Sequence, residues 1–219
     1  AATAFGHSGP TAPAVRPAGR RAPRRAAEAA GVADPTARHS WRPVGPRNVT
    51  GRVRALAVDP RDPTVLYAGT ASGGVFRSSD GGGSWTPLWH DQPSLAVGAL
   101  GVAAASPAAP ARRRVYAATG EIVENGYGVA GHGIWVSDDA GASWSDHATT
   151  PAPNPDTHHG FDALALDPAD DDHCWAVGAG GVFRTVDGGR TWQTHLPGTA
   201  FSDVVFSDGT VLVADEQHQ

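Results

Sequence analysis

The 219 residues include 28 Gly, 18 Pro, one Cys and neither Met nor Lys, which excludes a helical bundle, a disulfide framework and any enzyme that depends on a lysine. The formal net charge of −5 combines a basic segment, residues 1–47 with eight Arg and two acidic residues, with an acidic remainder, so we expect no nucleic-acid binding by the folded part. No apolar run approaches the roughly 18 residues of a membrane span, and the missing Met predicts that the chain is part of a longer translation product.

The first part of the chain, residues 1–39, is rich in Ala, Pro and Arg, and we expect it to be a disordered leader. It contains the pair Arg20-Arg21, but the residues that follow are too weakly apolar for the core of a twin-arginine signal.

An octet of the form Ser/Thr-x-Asp-x-Gly-x-Ser/Thr-Trp occurs three times, at residues 78–85, 137–144 and 185–192. A carboxylate and a hydroxyl in a glycine-rich turn can accept hydrogen bonds from backbone N–H groups that the turn would leave unpaired. Because the same residue types recur in every copy, we expect a structural role for them. The positions are Ser78, Asp80, Gly82, Trp85, Ser137, Asp139, Gly141, Trp144, Thr185, Asp187, Gly189 and Trp192.

Short apolar runs and turn residues divide each repeat into four strands, and the first of these, as in residues 55–58, is apolar on both faces like a buried inner strand. Such repeats predict an all-β fold, a β-propeller of four-stranded antiparallel blades. The predicted segments are 40–50 (outer strand of the closing blade), 51–90, 95–148 and 158–197 (blades 1 to 3) and 201–219 (start of blade 4). About three and a half blades of a ring of roughly six to eight are therefore expected, and the remaining blades or a partner chain should cover the open edges.

The octets and the strands before them resemble those of the Asp-box (bacterial neuraminidase repeat, BNR) propellers, a group with sialidases, sortilin-type receptors, oligoxyloglucan-type glycoside hydrolases and the photosystem II assembly factor. The resemblance covers residues 40–214. The Phe/Tyr-Arg-Ile-Pro element of sialidases is missing, and Ala71 follows Thr70 where the oligoxyloglucan-type hydrolases resemble one another in a catalytic Asp.

The resemblance therefore favours a non-catalytic binding or assembly scaffold for a glycan or protein ligand, working at or outside the cell envelope. A glycoside hydrolase, sialidase-like or xyloglucanase-like, or a truncated remnant of one, stays the alternative.

The loops between the second and third strands of a blade, and between consecutive blades, should emerge on one face around the central mouth, and two long insertions fall there. The polar residues expected around the mouth are Asn48, Arg52, Asp91, Gln92, Glu121, Glu124, Asn125, Tyr127, His132, His158 and His159. Glycoside hydrolysis needs two carboxyl groups. Glu121 or Glu124, paired with Asp91 or Asp162, could supply them.

Neither a metal nor another cofactor is expected. The spacing of His147, His158, His159, His173 and Cys174 fits no closed zinc site. Cys174 lies inside a predicted blade, without a glycine elbow or helix terminus to activate it as a nucleophile.

Overall fold

The computed structural model describes residues 52–89, 91–104, 109–121, 128–145, 160–198 and 201–215, all of which belong to the unit Val44–Gln219. Within these ranges the chain forms thirteen β-strands. No helix in this described part is long and apolar enough to cross a membrane. The predictions for residues 1–39 and 40–50 concern residues outside these ranges.

The first sheet contains β1 (Val53–Asp59), β2 (Asp62–Thr70), β3 (Gly74–Ser78) and β4 (Thr86–Pro87). Each strand pairs with the next along the chain, and every pairing is antiparallel. The two-residue turn between β1 and β2 and the glycine-rich turn between β3 and β4 are therefore at the same end of the sheet.

The second sheet contains β5 (Val97–Val102), β6 (Val115–Thr119) and β7 (Ile134–Ser137), again in chain order and antiparallel. The repeat predicts a fourth strand after β7. Among the described residues that strand is reduced to one bridge, in which Val136 and Ser145 exchange backbone hydrogen bonds of 2.8 and 2.9 Å.

The third sheet has four antiparallel strands, β8 (Phe161–Asp167), β9 (Asp170–Gly178), β10 (Gly180–Thr185) and β11 (Gln193–Gly198). A two-stranded sheet follows, with β12 (Phe201–Ser207) and β13 (Thr210–Asp215).

The first strands of consecutive sheets contact one another, β1 with β5, β5 with β8 and β8 with β12. Apolar side chains fill the space between neighbouring sheets, among them Tyr67 and Trp89 between the first two, Phe183 and Trp192 between the next two, and Trp175 beside the last. Sheets packed face to face around adjacent inner strands are the blades of a β-propeller, so the predicted fold class is confirmed.

A buried arginine joins the second sheet to the third. Arg114 is 2% exposed; its Nε donates to Asp138 Oδ1 at 2.7 Å and its Nη1 to the Asp171 carbonyl at 3.1 Å. It also forms an ion pair with Asp172, which lies near the start of β9. Burial disfavours the charge, but the bonds to Asp138 and Asp172 prevail and raise the pKa of Arg114.

The expectation that the inner strand is buried on both faces is wrong for β1. Leu56 and Val58 are 69% and 53% exposed, whereas Leu164 and Leu166, at the same positions of β8, pack on the core shared with the second sheet. The difference arises because none of the described sheets precedes β1. At the other end, Val205 and Leu212 are 51% and 62% exposed.

Candidate functional site

Every inner strand has an irregularity at the same place. The pairing register shifts between Val53 and Ala55, and the corresponding shift recurs in β5, β8 and β12. The residues at the shift are Arg54, Gly98, Asp162 and Ser202. A β-bulge re-aims the side chain at the extra residue and often lies beside a functional site. The four positions lie where the inner strands begin, and we call this end of the sheets the mouth.

Two of the bulge positions carry opposite charges that face each other. Nη2 of Arg54 lies 3.9 Å from Oδ1 of Asp162, although the two residues belong to the first and third sheets. Gly98, at the equivalent position of the second sheet, allows this approach. A Cβ there would lie 2.0 Å from the carbonyl oxygen of Phe161 and 2.7 Å from that of Gly120, distances that no side chain tolerates.

Glu121, which follows β6 at the same end, completes the group. Its Oε1 accepts a hydrogen bond from Arg52 Nη2 and lies 3.8 Å from Arg54 Nε. The Glu121 side chain is 8% exposed, whereas that of Arg52 is 61% exposed. Arg52, Arg54, Glu121 and Asp162 are called the mouth cluster below.

The mouth cluster is suited to recognition more than to acid catalysis. The guanidinium group of Arg54 lies beside the carboxylates of both Glu121 and Asp162. The two carboxylates are therefore no more than about 10 Å apart, a limit that includes the separations found in glycosidases. However, a glycosidase needs one carboxyl group that holds a proton. In the mouth cluster both carboxylates are instead engaged in ion pairs with arginines.

Three of the remaining predicted mouth residues lie in the described part of the chain. Asp91 and Gln92 lie in the connection between the first two sheets, where the Asp91 N–H donates to Gln92 Oε1 at 3.2 Å. His132 is exposed, and its N–H donates to Thr119 Oγ1 at 2.7 Å. No contact described here joins these three residues to the mouth cluster. Predictions for Asn48, Glu124, Asn125, Tyr127, His158 and His159 lie outside the described residues.

Sequence reasoning missed Arg54, the residue that connects the two carboxylates. Aligning the repeats could have identified it, because Arg54 and Asp162 occupy equivalent positions before the same Ala-Leu-Ala run. The same position of the repeat thus carries a positive side chain in one sheet and a negative one in another, which indicates a role beyond the fold.

The three octets form the same hydrogen-bonded turn at the end of the sheets opposite the mouth. In the first, the Ser78 hydroxyl donates to Asp80 Oδ1 at 2.7 Å and accepts from the Gly82 N–H at 2.8 Å. Asp80 then accepts from the Ser84 N–H at 2.9 Å and from the Ser84 hydroxyl at 2.7 Å. The turns around Asp139 and Asp187 repeat every one of these bonds.

These bonds stabilise the charged form of each turn carboxylate. Hydrogen bonds from the backbone and hydroxyl of Ser84 lower the pKa of Asp80 to about 2. For Asp139 and Asp187, burial acts in the opposite direction, but the hydrogen bonds prevail and the pKa is also lowered.

The possible metal ligands are engaged by other groups. Asp170, Asp171 and Asp172 bring carboxylate oxygens within 4.8 Å of one another, but Asp171 and Asp172 are ion-paired with arginines. His173 accepts a hydrogen bond from Arg184 Nε at 2.8 Å. Burial raises the pKa of the Cys174 thiol, which opposes formation of a thiolate. His147 lies outside the described residues.

The fold resembles those of solved propellers. A GH74 enzyme from Niastella koreensis superposes with a TM-score of 0.55 and 23% identity, covering 74% of this chain and 26% of that one. An ancestral GH74 enzyme gives a TM-score of 0.53 and 20% identity, covering 72% of this chain and 20% of that one. The computationally designed Ika4 protein gives a TM-score of 0.51 and 14% identity, covering 82% of this chain and 96% of that one.

No protein-family model matches the chain, and no curated protein does. The chain spans only about a quarter or less of the two GH74 enzymes. At these identities the similarity shows the fold alone, and the described residues form part of a β-propeller.

Proposed function

We propose that this protein is a non-catalytic Asp-box propeller, a binding or assembly scaffold that holds its ligand at the mouth. The observation that carries the proposal is the burial and pairing of Glu121. Its side chain is 8% exposed and forms ion pairs with both Arg52 and Arg54. Its carboxylate fixes the two arginines at the mouth, and the more exposed Arg52 presents the charge to a ligand.

The octet turns support assignment to the Asp-box group. A carboxylate that receives a backbone N–H and a hydroxyl from the residue four positions later recurs in three sheets, at Asp80, Asp139 and Asp187. The same bonds in every copy indicate a structural turn, since a catalytic residue is needed once.

Among ligands, we favour a protein segment over a glycan. Aliphatic side chains are exposed close to the mouth cluster: Val53 lies between its two arginines, and Val129 accepts a backbone hydrogen bond from Glu121. Val53 is 38% exposed and Val129 45%. Apolar surface bordered by charged groups is the anatomy of a protein interface.

Binding arrays test the proposal. The full chain, labelled at its termini, is applied to a peptide array and a glycan array, beside Arg52→Gln and Glu121→Gln. Arg190→Gln, an exposed arginine on the third octet turn, is the matched control. We expect peptide ligands whose binding falls at least tenfold in the two mouth variants and not in the control. Glycan binding with the same dependence would change the ligand class, and binding that both variants retain would refute the mouth site.

A glycoside hydrolase is the second candidate, because the spacing of Glu121 and Asp162 permits it. Incubation with xyloglucan and with sialosides, followed by assay of new reducing ends and free sialic acid, distinguishes turnover from binding. Turnover that Glu121→Gln abolishes would overturn the non-catalytic proposal.

Further blades or a partner chain are proposed to cover the exposed faces of β1 and β13. This follows from Leu56 and Leu212, which are 69% and 62% exposed although equivalent positions elsewhere in the repeat are packed. The Asp-box resemblance further supports a location at or outside the cell envelope. Fractionation of producing cells with an antibody against the chain tests that location.

A further inference from the structure

The dipeptide Asp-Gly occurs three times in the chain, at residues 80–81, 187–188 and 208–209. The first two copies belong to octet turns, and the third is the turn between β12 and β13. An aspartate followed by glycine can react with its own backbone, because glycine has no side chain to hinder the approach of its nitrogen to the aspartate carboxyl group. The three copies differ in how far the fold restrains this reaction.

The reaction rearranges the main chain and needs no reagent other than water. The glycine nitrogen attacks Cγ of the protonated aspartate carboxyl group, a C–N bond forms, the nitrogen loses its proton, and one carboxyl oxygen leaves as water. The product is a five-membered succinimide ring, which water then opens at either carbonyl carbon. One opening restores aspartate. The other breaks the original peptide bond and leaves isoaspartate, whose main chain runs through the former side chain.

The first octet holds both reacting groups in hydrogen bonds. The N–H of Gly81, which carries the attacking nitrogen, donates to the Thr64 carbonyl at 2.9 Å. The carboxylate of Asp80 accepts from the N–H and the hydroxyl of Ser84 at 2.9 and 2.7 Å. The bonds from Ser84 also lower the pKa of Asp80 to about 2, so the protonated form that reacts is scarce above that pH.

The third octet restrains the same two groups in the same way. The N–H of Gly188 donates to the Asp172 carbonyl at 2.9 Å. The carboxylate of Asp187 accepts from the N–H and the hydroxyl of Thr191 at 2.9 and 2.6 Å. For the nitrogen and the carboxyl carbon to meet, an octet must first break several of these bonds.

The turn between β12 and β13 restrains neither group. Ser207 pairs with Thr210, so Asp208 and Gly209 form a two-residue loop, with φ of 50° and 76° as in a type I′ turn. Both loop residues are exposed. Within the described part of the chain, no hydrogen bond or ion pair engages the Asp208 carboxylate or the Gly209 N–H. A Cβ on Gly209 would have no atom within 4 Å, so the loop is free to change conformation.

We propose that Asp208 is a site of spontaneous isoaspartate formation, and that the octet bonds protect Asp80 and Asp187 from the same reaction. Ring closure requires the turn to open locally, and exposed loop tips are where such opening costs least. Isoaspartate adds one methylene group to the main chain of a two-residue loop. Because the loop sets the register of the hairpin, the modification should weaken the pairing of β12 with β13. The site is independent of the function proposed for the mouth.

Peptide mapping of the full chain tests the proposal. The protein is incubated at about pH 5, where an ordinary aspartate is still partly protonated, and is then cleaved after arginine. This cleavage puts the three dipeptides on separate peptides, residues 78–112, 185–190 and 191–219. Asn125-Gly126, which forms isoaspartate by deamidation, is on a fourth, residues 115–184. Isoaspartate in each peptide is measured by labelling with isoaspartyl methyltransferase and mass spectrometry.

We expect isoaspartate to form at least tenfold faster in peptide 191–219 than in the two octet peptides. Equal rates in the three peptides, or no isoaspartate in peptide 191–219, would overturn the proposal. Asp208→Gly removes the carboxyl group and keeps a residue that accepts a positive φ, so it should abolish the isoaspartate of that peptide. Its persistence in this variant would refute the assignment to Asp208.

The unfolded chain is the control for protection by the fold. In concentrated guanidinium chloride the octet bonds are lost, and the three Asp-Gly peptides should form isoaspartate at similar rates. Octet peptides that stay slow in the unfolded chain would show that their local sequence, and not the hydrogen-bonded turn, suppresses the reaction.

Discussion

Arg54 and Asp162 occupy the same position in two blades of the repeat, and Nη2 of one lies 3.9 Å from Oδ1 of the other. Gly98 occupies that position in the blade between them, where a Cβ would lie 2.0 Å from the carbonyl oxygen of Phe161 in β8. The β-bulge at this position is part of the fold in each inner strand, but the residue that it presents varies. A structural repeat thus supplies a place where charge can differ from blade to blade without disturbing the sheet.

This ion pair should contribute little to stability and much to recognition. Arg54 and Asp162 are 30% and 22% exposed in their side chains, so solvent screens their interaction. In a double-mutant cycle with Arg54→Gln and Asp162→Asn, we expect a coupling free energy below about 1 kcal/mol. Urea unfolding of the wild type, both single variants and the double variant measures it.

Salt provides the control for this cycle. The coupling should shrink between about 0.05 M and about 1 M NaCl, because the Debye length falls from roughly 14 to 3 Å. A coupling above 2 kcal/mol that is insensitive to salt would mean that the pair is a buried element of the fold. The mouth would then need another explanation.

The sequence predicts the blades well because their determinants are local. Alternating apolar residues and the turn chemistry of each octet act within a few residues, and the pairing of β1 to β4 follows from them. The mouth cluster depends instead on contacts between residues far apart in the chain, such as Arg52 and Glu121. The exposure of β1 could not be predicted from the sequence either, because β1 carries the same apolar pattern as its buried counterpart β8.

Arg114 offers a sharp test of the contact between the second and third sheets. Arg114→Lys keeps the charge, but an ammonium group cannot donate to Asp138, Asp172 and the Asp171 carbonyl in the arrangement of a guanidinium. We expect a loss of about 1 to 3 kcal/mol in the free energy of unfolding, because the buried charge at this position keeps fewer of its hydrogen bonds.

The neighbouring Arg113 is the matched control for this substitution. It is exposed, and its Nη1 donates to the Pro110 carbonyl at 3.3 Å. Arg113→Lys should change the unfolding free energy by no more than about 0.5 kcal/mol. Equal losses for the two variants would show that the buried network does not stabilise the interface.

The octet turns should make the protein sensitive to acid. The pKa of Asp80 is about 2 in the folded chain, below the value of about 3.9 that an unfolded Asp has. Above about pH 5 the carboxylate is charged in both states and its stabilising contribution is complete; as pH falls towards 2, the unfolded state takes up the proton first and the contribution is lost. The lowered pKa values of Asp139 and Asp187 act in the same direction.

Melting temperatures between pH 2 and 6 measure this effect. Asp80→Asn should melt at a lower temperature than the wild type at pH 6 and should lose less stability on acidification. Asp208→Asn is the control, since it removes one carboxylate from a turn whose positive φ of 50° asparagine also tolerates. A pH profile of Asp80→Asn parallel to that of the wild type would contradict the role of the carboxylate.

Leu56 and Leu164 provide a final comparison, because they are the same residue at the same position of two inner strands. Leu164 packs on the core between the second and third sheets, so Leu164→Ala should cost about 2 to 3 kcal/mol. Leu56 is 69% exposed, and Leu56→Ala should cost less than about 0.5 kcal/mol in the full chain. Urea unfolding at several protein concentrations measures both. A large cost for Leu56→Ala that grows with concentration would mean that a second copy covers β1, because only an intermolecular contact depends on concentration.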